Sequence, residues 1–224
     1  MAVYWGFVTL VDDQIGRLLR EIEDEGVLDD TLVIFTSDHG EMLGQHGLWH
    51  KMVPYEEAIR VPLVMRYPRR ISASLRSQVV AAVIDIAPTI LSVVGEQIQG
   101  EMVGRNLSPA FKDGAEFQSD PFRFAEHKPL GEWHRTVEWR LVTNNHFKYV
   151  WNQRDLDELY DLSADPYERS NLIDDDDPVM QPVVMEYRSL LHCWMRETSD
   201  PLLASFETGI GAASGRLPLS GARE

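Results

Sequence analysis

The sequence predicts an α/β protein: part of a doubly wound core, followed by a small antiparallel sheet and a helix. Three observations carry this reading. An amphipathic helical pattern is followed, after Gly26 and Asp29-Asp30, by a short strand whose middle is apolar on both faces. That strand ends on a polar cluster, Asp38-His39-Gly40. Far downstream, two strand-like runs flank Asn144-Asn145, a hairpin turn signal, ahead of a last amphipathic stretch.

The first element is a helix over Val3 to Glu25. Phe7, Leu10, Val11, Ile15, Leu18, Leu19 and Ile22 recur at helical spacing, and charged residues fill the other face. Thr31 to Ser37 follows as a strand. Its middle is apolar on both faces and rich in β-branched residues, which suits a buried parallel strand. In open α/β sheets the ligand crevice lies beyond the carboxyl ends of such strands. Asp38 and His39 therefore stand where this fold class places chemistry.

Gly40 to Tyr55 reads as a long loop broken by Gly40, Gly44, Gly47 and Pro54. Arg60 to Pro68 reads as a second strand with Pro62 at its entry. Asp85 to Gly95 reads as a helix capped by Asp85 and stopped by Gly95. Gly100 to Asp120 is loop-like. The hairpin strands Thr136–Thr143 and His146–Trp151, with Asp157–Leu162, make a small antiparallel sheet. Val179 to Glu197 is the last helix, with Val183, Val184, Tyr187, Leu190, Leu191 and Trp194 on its apolar side. From Thr208 the Gly, Ala and Ser content suggests a loose tail.

Composition narrows the function classes. The 224 residues include 36 acidic and 21 basic side chains, a formal net charge of −15. Such a balance argues against DNA, RNA or an anionic membrane surface as partner, because those need clustered Lys and Arg. No apolar run approaches a membrane span. The first residues show no basic region followed by an apolar stretch and do not read as a signal peptide; the location stays open, with the cytoplasm favoured. The single cysteine, Cys193, cannot form an intrachain disulfide.

Asp38 offers carboxylate oxygens and His39 an imidazole nitrogen, both metal ligands by type. Lys51, delivered by the glycine-rich loop, is a compact cation suited to a developing negative charge. Taken alone, an Asp-His pair after a strand is often only a turn former, and a lone loop lysine only a solvated charge. The surrounding motifs change the balance. Thr36-Ser37-Asp38-His39-Gly40-Glu41-Met42-Leu43-Gly44-Gln45-His46-Gly47-Leu48-Trp49-His50-Lys51 resembles the sulfatase family of the alkaline-phosphatase-like superfamily. Tyr4, Val8, Asp12 and Gly16-Arg17-Leu18-Leu19 resemble its preceding helix. Arg60-Val61-Pro62-Leu63, Asp85-Ile86-Ala87-Pro88-Thr89 and Gly104-Arg105-Asn106-Leu107 resemble its later landmarks. Glu158 to Leu162 and Asp165 to Leu172 are similar to its C-terminal signature. The likeness runs from Val3 to Pro201 in the family's order.

The resemblance implies a metal-assisted hydrolase of sulfuric esters. It assigns Asp38 and His39 to a divalent metal, with Ca²⁺ first and Mn²⁺ or Zn²⁺ as alternatives, and Lys51 to substrate. It places His46 only near the site. It also implies a division into residues 1–112, the C-terminal part of the α/β core, residues 113–207, a small α+β subdomain, and the tail at 208–224. The family's nucleophile motif, Cys-x-Pro/Ala-x-Arg, has no counterpart here: Cys193 is followed by Trp194-Met195-Arg196. The first pair of acidic metal ligands is absent as well. The expectation is thus the C-terminal half of such a hydrolase, with little turnover alone. A phosphonate monoester or phosphodiester hydrolase of the same superfamily and a non-catalytic remnant or interaction module stay open. The implied partners are a small sulfate or phosphonate ester and an N-terminal half or a second copy.

Other candidates have plainer readings. His46 and His50 are spaced as in a zinc helix, but Gly47 lies between them and no Glu follows the first. Asp85, Asp161 and Asp165 read as caps and turn formers. Asp174 to Asp177 reads as a solvated face. Cys193 reads as a core or interface residue.

Overall fold

The computed structural model describes residues 1–97, 100, 102–112, 117, 120–129, 137–173 and 178–213. The acidic run at 174–177 and the tail beyond 213 lie outside them. The chain forms two compact units. The first comprises Met1–Lys51 and Glu57–Asp120, the second Met52–Glu56 and Pro121–Glu224.

In the first unit α1 spans Ala2–Asp24. Ile15, Leu19 and Ile22, spaced for one face, are half-buried. None of its 23 residues is fully buried, and Trp5, Phe7, Leu10 and Val11 are exposed. β1 (Val33–Thr36) follows, as the β-branched run requires. It pairs with β2 (Leu63–Arg66) in register Val33↔Arg66 to Thr36↔Leu63.

That pairing is antiparallel, which corrects the expected parallel strand. A parallel pair needs a packed crossover between its strands. The connection here carries a single helical turn, α2 (Glu56–Ile59), and returns the chain in the opposite direction. Nor is β1 buried on both faces. Phe35 and its register partner Val64 are 46% and 58% exposed, so one face of this ribbon is apolar and uncovered among the described residues. Salt bridges at its end join Arg66 to Asp29 at 2.5 Å and Arg69 to Asp30.

α3 covers Ile86–Val94. Asp85 stands at its start but makes no side-chain cap there. Its carboxylate accepts instead from Ala82 N at 2.9 Å and Arg105 N at 2.7 Å, with the Arg105 guanidinium at 3.3 Å. Thr89 Oγ1 in turn donates to Asp85 O and accepts from Leu107 N. The two sequence landmarks, around Asp85 and Gly104, are therefore one interlocked structure. Gly104 is required by close approach: a Cβ there would lie 1.9 Å from the Ile84 carbonyl oxygen.

In the second unit β3 (Arg123–His127), β4 (Trp139–Thr143), β5 (Phe147–Asn152) and β6 (Glu158–Asp161) form one antiparallel sheet in that order. The hairpin stands at Asn144 as expected: its side-chain oxygen accepts from His146 N and Phe147 N, both at 2.8 Å. α4 (Met180–Glu197) and α5 (Leu203–Ala213) close the core. Val142, Tyr149, Leu159, Val184, Leu191, Met195 and Phe206 form its buried centre. Residues 208–213 are helical, where sequence composition suggested a loose tail.

Asp161 and Asp165 form turns, as expected. Asp161 accepts from Ser163 N and Ala164 N, and Asp165 from Arg169 N and Ser170 N. Cys193 is exposed, so of the two expected places, core or interface, the core is excluded. Leu191 and Met195 face the core, and a residue two positions from each falls on the opposite side of the helix. Among the described residues no helix is long and apolar enough to cross a membrane.

Candidate functional site

The polar cluster sits one residue beyond β1, in the first unit. Ser37 Oγ donates to His39 O at 2.8 Å, and His39 N donates to Asp38 Oδ1 at 3.0 Å. This compact turn aims both side chains one way. His39 Nδ1 lies 2.8 Å from Gly40 O. A carbonyl only accepts, so Nδ1 donates, and in the neutral form of the ring the lone pair is on Nε2. That nitrogen is 3.4 Å from Asp38 Oδ2. A carbonyl partner on the second ring nitrogen is the usual way a metal-binding histidine is oriented.

The Asp38 carboxylate is 84% exposed, so the pair is presented outward rather than spent on internal contacts. Desolvation pushes its pKa up, but the attraction of His39 and the His39 backbone N–H outweigh it and hold the carboxyl below its ordinary value. A separation of 3.4 Å suits two ligands about 90° apart at calcium-like distances of about 2.4 Å. It suits a tetrahedral angle at zinc-like distances of about 2.0–2.1 Å equally well. The donor set fits a divalent cation without selecting one. Among the described residues there is no group of three or more His, Cys, Asp and Glu that could hold a metal. The pair offers two donor atoms, fewer than the four or more such a cation takes.

Gly40 is fixed by close approach. Its N–H donates to Ala58 O at 2.7 Å, and a Cβ would sit 2.0 Å from Glu57 O. Only glycine lets the chain leave the ligand pair against the backbone of α2. The loop then closes on itself. Met42, fully buried, donates its N–H to His50 O at 2.9 Å, and Gly44 N donates to Leu48 O at 2.8 Å. The Glu41 carboxylate accepts from His50 N at 2.7 Å and reaches Leu43 N at 3.4 Å. Lys51 leaves the loop immediately after this closure and is half-buried.

Asp38 and His39 are brought together side by side; Lys51 is returned by the folded loop to the segment that follows them. His46 lies at the loop tip with a left-handed backbone, φ 52°. Sequence reasoning singled out neither Glu41 nor the tight seat of Gly40. The motif contained both residues, but nothing local marks a carboxylate that serves an amide nine positions away.

The Sulfatase family model matches residues 1–96, which contain Asp38, His39 and Lys51. Residues 1–96 are thus a Sulfatase-family domain. The chain is 35% identical over 177 residues to the N-acetylglucosamine-6-O-sulfatase of Bacteroides thetaiotaomicron, covering 77% of this chain and 32% of that protein. A solved structure of a protein in complex with its substrate D-glucosamine-2-N,6-O-disulfate superposes with a TM-score of 0.79 at 30% identity. The match covers 87% of this chain and 40% of that one. The phosphonate monoester hydrolase of Agrobacterium radiobacter superposes with a TM-score of 0.77 at 29% identity, covering 88% and 41%. The chain thus spans about a third of that curated relative and about two-fifths of those solved chains.

Proposed function

We propose that this chain carries the second half of the catalytic apparatus of a sulfuric ester hydrolase. The observation that supports it is the Asp38 Oδ2–His39 Nε2 pair, oriented by Gly40 O, inside the segment that matches the Sulfatase model. A divalent cation held by Asp38 and His39, calcium first and manganese or zinc as alternatives, supplies positive charge to the ester's tetrahedral group. Lys51 adds a second positive charge, toward a non-bridging or leaving-group oxygen where charge accumulates. His39 keeps its proton on Nδ1 and acts as ligand, not as general acid.

The substrate is a small sulfate ester. The likeness to the phosphonate monoester hydrolase supports a second reading, hydrolysis of a phosphonate monoester, because sulfuryl and phosphoryl groups share tetrahedral geometry. The nucleophile belongs to the portion of the fold that this sequence does not contain. Trp5, Phe7, Leu10 and Val11 on α1, with Phe35 and Val64 on the β1–β2 ribbon, support an N-terminal half as the partner that covers this apolar surface.

Purified chain assayed with an aryl sulfate and with a phenyl phosphonate is expected to show background turnover of both. Turnover that Asp38→Ala abolishes would overturn the division of labour. Manganese added to isotope-labelled chain is expected to broaden the amide signals of residues 38 and 39, and Asp38→Ala to remove that effect. Broadening elsewhere, or none, would overturn the ligand assignment.

A further inference from the structure

The loop between the ligand pair and Lys51 is backbone-strained in an unusual way. Leu43, His46 and His50 all adopt positive φ, at 48°, 52° and 73°, and none is glycine. Such residues persist only where their surroundings over-determine them, and they gather at functional sites. For His50 the surroundings are visible. Its N–H is held by Glu41 Oε1 at 2.7 Å and its C=O by Met42 N at 2.9 Å. Both polar groups of its backbone are thus tied to one dipeptide, Glu41-Met42. Met42 is fully buried and so anchors that dipeptide.

Glu41 follows Gly40, which is clamped on the backbone of residues 57 and 58 and accepts the proton of His39 Nδ1. Lys51 follows His50. A short covalent and hydrogen-bonded ring therefore runs from the ligand pair through Gly40 and Glu41, across one charge-assisted hydrogen bond, into His50 and Lys51. Charge-assisted bonds of this kind are short and about twice as strong as neutral ones. The side chain that closes the ring is Glu41.

We propose that Glu41 is a positioning residue that sets Lys51 relative to the Asp38–His39 pair by holding His50 in its left-handed conformation. This rests on the functional reading above for what Lys51 does, but not for where Lys51 is held. The Glu41 carboxylate touches neither substrate nor cation in this role. One acceptor oxygen at the right place is what matters, so glutamine substitutes for it and alanine does not.

The test uses the isotope-labelled chain as wild type, Glu41→Gln and Glu41→Ala. Three readouts are followed: hydrogen exchange of the His50 amide, nitrogen relaxation of the Lys51 amide, and the response of Lys51 signals to inorganic sulfate with manganese present. In Glu41→Ala the His50 amide is expected to exchange at least about tenfold faster, because it loses its acceptor. The Lys51 amide becomes flexible on the nanosecond scale, and its sulfate response weakens. Glu41→Gln keeps all three near wild type, and manganese broadening at residues 38 and 39 is the same in every variant. Unchanged His50 exchange and Lys51 relaxation in Glu41→Ala would overturn the proposal. So would a Glu41→Gln chain that behaves like Glu41→Ala, which would make charge the cause. A wild type with no manganese broadening and no sulfate response would instead overturn the functional reading, while exchange and relaxation still decide the role of Glu41.

Discussion

The two units use the same kind of apolar pattern to different ends. In the second unit the helical stripe of α4 is consumed internally: Val184, Tyr187, Leu191 and Met195 meet Val142, Tyr149 and Leu159 of the sheet and Phe206 of α5. In the first unit α1 is as clearly amphipathic, yet none of its residues is fully buried. Its sheet has two strands, and the Phe35–Val64 pair is exposed. Periodicity reports which face a segment needs to bury. It does not report whether the burying partner belongs to the same unit. These apolar residues stay exposed in a chain that spans only part of its relatives' length.

Polar burial divides the units as well. The second unit buries Lys148 completely, with its ammonium on Pro54 O at 2.8 Å, Glu56 Oε1 at 3.0 Å and the Glu168 carboxylate. Glu168 Oε2 also accepts Glu56 N at 2.7 Å. Burial pushes the Glu168 carboxyl up in spite of the pull of Lys148. Arg140 and Asp200 form a second buried pair at 2.6 Å. In the first unit the comparable pair, Asp38 and His39, faces outward. The second unit thus spends its charged pairs inside, whereas the Asp38 carboxylate stays 84% exposed.

The largest effect that would sharpen this contrast is expected from Lys148→Ala. It strands two carboxylates, one of them fully buried, and should cost about 3–5 kcal/mol in denaturant unfolding of the second unit. A loss under about 1 kcal/mol would break the view that the second unit depends on this network. An intermediate effect is expected from Gly40→Ala. The added methyl meets the Glu57 carbonyl at 2.0 Å, so the first unit should lose about 1–3 kcal/mol and the amide protection of Met42 and His50 should fall. The smallest effect is expected from Phe7→Gln with Phe35→Thr. Both residues are exposed, so the change should stay within about 0.5 kcal/mol in the chain alone. A large loss of stability would mean that these side chains are already covered.

The site was readable to different depths. Asp38 and His39 stand out by residue type at a strand exit, and in the structure Asp38 Oδ2 and His39 Nε2 lie 3.4 Å apart. Lys51 follows only from the motif, and its half-buried seat depends on the closed loop. The contact of Glu41 with His50 was invisible, because its hydrogen bond spans nine residues and needs His50 in a conformation that histidine seldom adopts. Asp85 looked like a helix cap because it stands where caps stand. Arg105, twenty residues away, claims its carboxylate instead. β3 escaped notice since Arg123 to His127 is a short mixed run that becomes a strand only beside β4.

The sequence by itself determined what is encoded within one turn or one strand. That covers the helical stripe of α1, the apolar run of β1, the Asn144 hairpin, the face of α4 and the presence of a carboxylate and an imidazole side by side. Spacing and side-chain chemistry act over a few residues, so they survive without the rest of the chain. Tertiary structure alone decided the antiparallel direction of β1 and β2, the burial of Lys148, the partner of Asp85 and the closure of the loop by Glu41. Each of these joins residues far apart in sequence or at a rare backbone angle. Their energies depend on which groups arrive together, and no local pattern records that.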